Sequence, residues 1–148
     1  MKGLIVHNPV DEQAPADARE VLDQVRTVAD ALTELGVPTE QLPFTLDVPS
    51  FMREVEAAAP DFVFNLVESV NEDERMLAFL PTLLDHMGIP YTGSRSWQIA
   101  ATSNKRMAKS IMMSGGLPTP IWVTRDGGVS HRDFKSGYYI LKSISDHG

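Results

Sequence analysis

The sequence predicts an α/β fold built on a parallel sheet, and two observations lead to that prediction. Segments of strand length alternate with segments whose apolar residues recur at helical spacing, in the order strand, helix, strand, helix, strand, helix. The strongest strand, Phe62–Leu66, is apolar along most of its length, as expected when helices cover both faces of a sheet. We therefore expect right-handed crossovers, with ligands at the carboxyl ends of the strands.

The first strand and the first helix follow from short local patterns. Leu4-Ile5-Val6 is an apolar run that ends at Asn8-Pro9, which is typical of a buried strand closed by a turn. Asp17 and Glu20 have the spacing of a capping box, and apolar residues follow at helical spacing until Gly36. A helix should end there, because glycine readily adopts the left-handed conformation.

The next elements continue the alternation. A second strand is predicted over residues 37–42, where two prolines shorten it. A helix over residues 50–59 should end before Pro60, because a residue that precedes proline avoids the helical region. After the third strand, residues 71–87 predict a helix with Asn71 and Glu74 as caps and Gly88 as its stop.

The last third of the chain predicts a short strand, a domain boundary and a smaller α+β segment. Pro90-Tyr91-Thr92 is the short strand, and the boundary near Gly93 gives domains of residues 1–93 and 94–148. Ser103 should cap a helix that ends at Gly115-Gly116. Two strands are then predicted, over residues 121–124 and 138–142. Between them, a turn is predicted at residues 126–128 and a brief helix at residues 132–135.

Composition argues for a globular protein and against two classes of partner. The formal charge of −7, from 13 basic and 20 acidic residues, opposes sequence-independent binding to nucleic acid or to an anionic membrane. No apolar segment reaches the roughly 20 residues that span a bilayer, and the amino-terminal apolar run is too short for a signal peptide. The absence of cysteine fits a reducing compartment. We therefore expect a cytoplasmic protein that binds neither nucleic acid nor membrane.

Few residues suggest chemistry on their own. No two of the 4 histidines have the i, i+4 spacing of a metal pair, so we predict no metal ligand. Lys105 lies near a helix start, where a bound phosphate would be favoured, although a solvated surface lysine is the simpler interpretation. Lys142 ends an apolar strand, where an edge-strand charge and a ligand contact are equally open. Glu68 follows the third strand at its carboxyl end, and its role is open.

A series of sequence blocks favours a functional interpretation of both lysines. The blocks are Phe64-Asn65-Leu66-Val67-Glu68, Asn71-Glu72-Asp73, Gly88-Ile89-Pro90-Tyr91-Thr92-Gly93-Ser94, Asn104-Lys105, Gly116-Leu117-Pro118-Thr119-Pro120 and Tyr139-Ile140-Leu141-Lys142. In this combination they resemble the D-alanine–D-alanine ligase branch of the ATP-grasp superfamily. The resemblance runs from residue 61 to residue 148 and is weaker before it.

The resemblance implies a fold, a reaction and two nucleotide contacts. Residues 1–93 would form the Rossmann-like pre-ATP-grasp domain, and residues 94–148 the incomplete start of the α+β ATP-grasp domain. Lys105 and Lys142 would contact the phosphates of ATP, with Mg²⁺ as the second cofactor. The family, known from peptidoglycan synthesis, activates a carboxylate as an acyl phosphate, which an amine then attacks. An amino acid or small carboxylate is the implied substrate, and Glu68 is a candidate contact to it.

The chain also departs from the family pattern. Residues 7–12 replace the family's glycine-rich loop with its Ser-Glu-Arg residues, which puts D-alanine specificity in doubt. Glu68 stands where the family has histidine, and Asn104 where it commonly has aspartate. The family's adenine-binding and magnesium-binding segments lie beyond the position of Gly148. We therefore assign no catalytic residue and expect this chain alone to be inactive.

Two functional hypotheses stay open at this point. The first is the N-terminal part of an ATP-dependent carboxylate–amine ligase. A C-terminal segment would complete the enzyme, which could form a homodimer. The second is a non-catalytic α/β module of ATP-grasp ancestry that binds a small ligand or a partner protein. Strands left uncovered in the second domain would favour the partner version.

Overall fold

The computed structural model describes residues 1–10, 20–125 and 136–145. The chain divides into two compact units, Met1–Ala100 and Ala101–Gly148. The assignment of residues 1–93 and 94–148 to the two domains of a ligase stays a prediction. The predicted cap at Asp17, the turn at residues 126–128 and the brief helix at residues 132–135 lie outside the described residues.

The first unit is built on a three-stranded parallel sheet. Its strands are β1 (Gly3–His7), β2 (Thr39–Pro43) and β3 (Phe62–Leu66), in the spatial order β2-β1-β3. Gly3 lies opposite both Thr39 and Phe62, so the three strands run in register from their first residues. The predicted α/β class is therefore confirmed.

The described residues contain five α-helices. The helices are α1 (Glu20–Glu34), α2 (Val48–Ala58), α3 (Phe79–Met87), α4 (Ser96–Thr102) and α5 (Lys105–Ser114). The predicted boundary near Gly93 lies three residues before α4, a helix that the sequence did not indicate. Among the residues that the structure describes, no helix is both long and apolar enough to cross a bilayer.

The core of the first unit lies mainly on one face of the sheet. Leu4, Val6 and Val63 pack in one buried cluster with residues of α2 and α3, among them Phe51 and Leu84. Ile5 points to the opposite face because side chains alternate along a strand, and it is also fully buried. Helix α1 packs against the strands as well, so the apolar strands have cover on both faces.

Helix α2 shows how closely local sequence sets the ends of an element. The carboxylate of Asp47 accepts a hydrogen bond from the Ser50 amide at 3.2 Å, which satisfies a donor that has no partner inside the helix. At the other end, Ala59 is in the left-handed conformation with φ of 44°. Its amide donates to the carbonyl of Val55 at 3.0 Å. Position 59 is one that glycine normally occupies.

Replacing Ala59 by glycine should stabilise the protein by roughly 0.5–1 kcal/mol, because the left-handed conformation costs a residue with a Cβ about 1–2 kcal/mol and glycine little. Ala57→Gly is the matched control, since Ala57 is an exposed residue inside the same helix. It should destabilise by about 1 kcal/mol. Urea unfolding of the two variants measures both changes. A loss of stability in Ala59→Gly would contradict the assigned conformation.

The predicted helix over residues 71–87 is wrong in its first half. A 3-10 turn at Glu74–Met76 precedes α3, which begins only at Phe79. The reason is Pro81, which has no amide hydrogen and would clash with the carbonyl four residues earlier in a longer helix. In α3 it lies in the first turn, where that hydrogen is not needed.

The cap predicted at Asn71 is also replaced by other geometry. Asn71 and Glu72 have φ of 50° and 61°, and they form the tip of a tight turn. Val70 and Asp73 exchange backbone hydrogen bonds of 3.2 and 3.0 Å on either side of it. Two consecutive positive φ angles are the signature of a type I′ turn, in which asparagine is favoured. Asp73, not Asn71, caps the 3-10 turn through the Arg75 amide.

Three further predictions need correction. Residues 90–92 form a single parallel bridge between Tyr91 and Val63, and not a full strand. Asn104, one residue after the predicted Ser103, caps α5. Residues 138–142 form no strand although the structure describes them, and Leu141 is 99% exposed. Their apolar run has no neighbouring strand among the described residues, and an isolated strand has no partner for its backbone groups.

Candidate functional site

The carboxyl ends of β1 and β3 meet at one edge of the sheet. Asn8, the residue after β1, reaches the loop after β3 with both atoms of its carboxamide. Its Oδ1 accepts a hydrogen bond from the Glu68 amide at 2.8 Å, and its Nδ2 donates to the Ser69 carbonyl at 2.7 Å. The polar residues that follow β1 and β3 therefore lie together at this edge.

Glu68 has a fixed backbone and an exposed side chain. The residue before it, Val67, donates its amide to Oδ1 of Asn65 at 3.0 Å. The backbone amide of Asn65 in turn donates a hydrogen bond to the Thr92 hydroxyl, also at 3.0 Å. The loop is thus held from two sides, and the Glu68 carboxylate extends from a rigid base at the edge where parallel sheets bind ligands.

His7 is the buried polar residue at the same edge. His7 is the last residue of β1 and is only 8% exposed. Nδ1 lies 2.8 Å from the Asn8 carbonyl, and because a carbonyl can only accept, Nδ1 carries the proton. In the neutral ring, Nε2 is then a hydrogen-bond acceptor. His7 has no second histidine at metal-ligand spacing in the sequence, but its position at the end of the first strand indicated this edge.

Lys105 is the first residue of α5. Oδ1 of Asn104 caps the helix by accepting a hydrogen bond from the Met107 amide at 3.0 Å. Asparagine and aspartate are about equally effective at that position, so the departure from the family's aspartate preserves the cap. The amide of Lys105 donates to the carbonyl of Ile144 at 2.8 Å. Lys105 itself is half-buried.

Lys142 is exposed and lies two residues before Ile144. The bond between the Lys105 amide and the Ile144 carbonyl therefore joins the segments that carry the two predicted nucleotide contacts. A helix start normally offers its free amides to an anion. Here the amides of Lys105 and Met107 already have protein acceptors, the Ile144 carbonyl and Oδ1 of Asn104.

A third lysine, Lys109, has a structural role. Its Nζ donates to the hydroxyl of Thr119 at 3.0 Å and to the carbonyl of Pro120 at 3.1 Å. These bonds attach α5 to the Gly-Leu-Pro-Thr-Pro block that follows it. No sequence pattern indicated this role, because the contact depends on how the chain turns after the helix.

The two lysines fit one of the two cofactors that the resemblance implies. A pair of cations on joined segments can hold the phosphates of ATP, because ammonium groups are effective point charges for phosphate. Magnesium requires several oxygen ligands around the phosphates. Within residues 1–10, 20–125 and 136–145, no group of three or more acidic, histidine or cysteine side chains could hold a metal ion.

Asp85 lies at the centre of a second polar cluster, at the end of the first unit. Its carboxylate accepts the hydroxyl of Ser96 at 2.5 Å and that of Tyr91 at 3.0 Å, while Arg95 lies 3.9 Å away. The Ser96 hydrogen bond is the main reason that the pKa of Asp85 is lowered. The pKa of Tyr91 is raised, first by burial and then by its bond to Asp85. Both carboxylate oxygens therefore serve to fix the start of α4.

Comparison with known proteins shows that the sequence is similar to D-alanine–D-alanine ligases, although no protein-family model matches it. The chain is 30% identical over 134 residues to a D-alanine–D-alanine ligase of Moorella thermoacetica, a match that covers 88% of this chain and 41% of the relative. It is 29% identical over 123 residues to the ligase of Aquifex aeolicus, covering 82% of this chain and 40% of the relative.

The fold agrees with the sequence. A crystal structure of D-alanine–D-alanine ligase from Bacillus anthracis complexed with ATP superposes with a TM-score of 0.54 at 20% identity, covering 90% of this chain and 43% of that chain. The chain thus spans about two fifths of the length of the ligases that it matches. The chain is D-alanine–D-alanine ligase-like and resembles the N-terminal portion of such an enzyme.

Proposed function

We propose that this chain is the N-terminal part of an ATP-dependent carboxylate–amine ligase. The observation that carries the proposal is the hydrogen bond of 2.8 Å between the Lys105 amide and the Ile144 carbonyl. This bond joins the two segments that carry the predicted nucleotide contacts. The chain that contains them is similar to a ligase over 88% of its length. In this proposal residues 1–93 are the pre-ATP-grasp domain and residues 94–148 begin the ATP-grasp domain.

The proposed roles of the lysines follow from charge. When bound, ATP supplies the phosphoryl group that activates a carboxylate: a carboxylate oxygen forms a bond to the γ-phosphorus as the bond to ADP breaks. Lys105 and Lys142 bind the phosphates and offset the negative charge that gathers there. An amine then attacks the acyl carbon, phosphate leaves, and the nitrogen loses a proton to give an amide or peptide bond.

Glu68 is the proposed contact to the amino-acid substrate. Its carboxylate is exposed at the carboxyl edge of the sheet, on a loop whose backbone is held by Asn8 and Asn65. A fixed carboxylate attracts the ammonium group of an amino acid, and such charge-assisted hydrogen bonds are about twice as strong as neutral ones. A histidine at this position would provide a weaker and pH-dependent partner.

The remaining requirements are assigned to residues outside this chain. We propose that Mg²⁺ and the adenine ring are bound by a C-terminal segment, so that the 148-residue chain alone is inactive. The complete enzyme is proposed to use an amino acid or small carboxylate, and a homodimer is its proposed assembly.

A chimera tests this function. Residues 1–148 are joined to the part of the Moorella thermoacetica ligase that follows the matched region, and ADP release is measured with ATP, Mg²⁺ and pairs drawn from glycine, D-alanine, L-alanine and β-alanine. We expect ADP release that depends on an amino acid, and none from the chain alone. The intact Moorella enzyme is the control for the assay. A folded chimera that releases no ADP with any pair would falsify the proposal.

The second candidate function is a non-catalytic module that binds a partner protein. The observation that favours it is the exposure of apolar residues in the segment 136–145, where Tyr138, Ile140 and Leu141 are all largely solvent-exposed. Exposed apolar patches often mark interaction surfaces. Failure of the chimera, together with a stable complex between the chain and another protein, would favour this candidate over the ligase.

A further inference from the structure

We propose that Asn8 is a positioning residue, which holds Glu68 where its carboxylate binds the ammonium group of the amino-acid substrate. This inference rests on the role proposed above for Glu68. It adds a residue for which neither the sequence blocks nor the comparisons supply a function. Asn8 would act only through the Glu68 loop and would not itself touch the substrate.

The geometry of the carboxamide carries the inference. One side chain makes two hydrogen bonds of opposite sense to consecutive residues: it accepts from the Glu68 amide at 2.8 Å and donates to the Ser69 carbonyl at 2.7 Å. Nδ2 also lies 3.5 Å from the Ser69 hydroxyl. This pattern imitates the bonding of a neighbouring strand and fixes both the position and the direction of the loop backbone.

Asn8 is itself well anchored. It follows His7, which lies opposite Pro43 of β2 and Leu66 of β3 in the register of the sheet. The preceding carbonyl, that of His7, accepts the Phe44 amide at 2.9 Å. The side chain therefore extends from the end of the central strand, and the Glu68 loop takes its position from the core of the sheet.

The loop needs such a tie because its next residues depart from regular structure. Asn71 and Glu72 both have positive φ, a conformation that is strained for a residue with a Cβ such as glutamate. Glu68 and Ser69 lie between β3 and that turn. Asn8 makes hydrogen bonds to both, although they are 60 and 61 positions away in the sequence. Without these bonds the carboxylate would have more orientations to lose when a substrate binds, and the affinity would fall.

A double-mutant cycle in the chimera tests whether Asn8 acts through Glu68. The probe is the amino acid of the panel above with the lowest KM. We expect Glu68→Gln to raise that KM about 10-fold, because glutamine keeps an acceptor oxygen but loses the charge that strengthens a hydrogen bond to an ammonium group. Asn8→Ala should raise it roughly 3- to 10-fold. In the Glu68→Gln background, Asn8→Ala should have a clearly smaller effect, because the charge that it positions is gone.

Asp61→Ala is the matched control. The Asp61 carboxylate accepts the Lys2 amide at 2.6 Å and joins the starts of β1 and β3, at the opposite edge of the same sheet. This variant should lose stability without a change in KM. Hydrogen exchange at the Glu68 amide should be faster in Asn8→Ala and unchanged in Asp61→Ala.

The possible outcomes separate this inference from the proposed function. Amino-acid-dependent ADP release with equal effects of Asn8→Ala in both backgrounds would overturn the positioning role and leave the ligase proposal intact. An unchanged KM in Glu68→Gln would do the same. A folded wild-type chimera that releases no ADP would overturn both proposals, and the coupled loss described above would support both.

Discussion

Replacing Lys105 and Lys142 together by alanine should reduce ADP release by the chimera at least about 100-fold. Each ammonium group is expected to make a hydrogen bond to a charged phosphate, and removal of one such bond costs about 1.5–3 kcal/mol, which is roughly a 10- to 150-fold effect. The structure makes this a clean test of the side chains. The bond to Ile144 uses the backbone amide of Lys105, so alanine at that position keeps the two segments joined.

The control for this variant removes a positive charge elsewhere. Arg53 is exposed on α2, in the first unit, and Arg53→Ala should leave ADP release unchanged. The single lysine variants should each fall between the wild type and the double variant. A double variant that keeps more than about a third of the wild-type rate would exclude both lysines as phosphate contacts, because a loss this small is below that of one charged hydrogen bond.

Leu84→Ala should have the largest effect on stability, a loss of about 2–5 kcal/mol in the free energy of unfolding. Leu84 is fully buried on α3 and belongs to the cluster that includes Leu4, Val6 and Val63 of the sheet. Alanine would remove the side chain's transfer free energy and leave a cavity that the close-packed neighbours could fill only in part. Urea unfolding followed by circular dichroism measures the change.

The matched control is Leu22→Ala, in which the same atoms are removed from a residue that is 41% exposed on α1. It should cost about 1 kcal/mol or less, since most surface substitutions have small effects. Equal losses in the two variants would contradict the position of Leu84 in the core. A loss below about 1 kcal/mol in Leu84→Ala would contradict it as well.

The elements that the sequence predicted well are those with a local cause. The strand at residues 62–66 has a continuous apolar run, and α3 and α5 end at glycine residues as expected. The errors have causes that a periodic pattern does not contain. Because of Pro81, α3 begins only at Phe79. Residues 138–142 have the apolar run of a strand but no partner strand among the described residues.

The candidate site was less predictable, for a different reason. Glu68, Lys105 and Lys142 were named from strand ends, a helix start and a resemblance, and their functional roles stay proposals. The position of Asn8 at a strand end was visible in the sequence, but its two contacts were not, because they are with residues about 60 positions away and depend on the register of the whole sheet. The resemblance gave no help there, since the residues after β1 depart from the family pattern.

The strand order β2-β1-β3 has a consequence for the way in which the protein folds. The first strand in the sequence is the middle strand of the sheet, so both of its partners are made later on the ribosome. Pairing with β3 closes a loop of more than 50 residues, because Gly3 lies opposite Phe62. Such non-local contacts lose chain entropy before they gain stability, which slows folding. Pairing of β1 with β3 therefore waits until residue 66 has been made, and until then one side of β1 keeps its backbone groups unpaired, a condition that favours aggregation of a newly made chain.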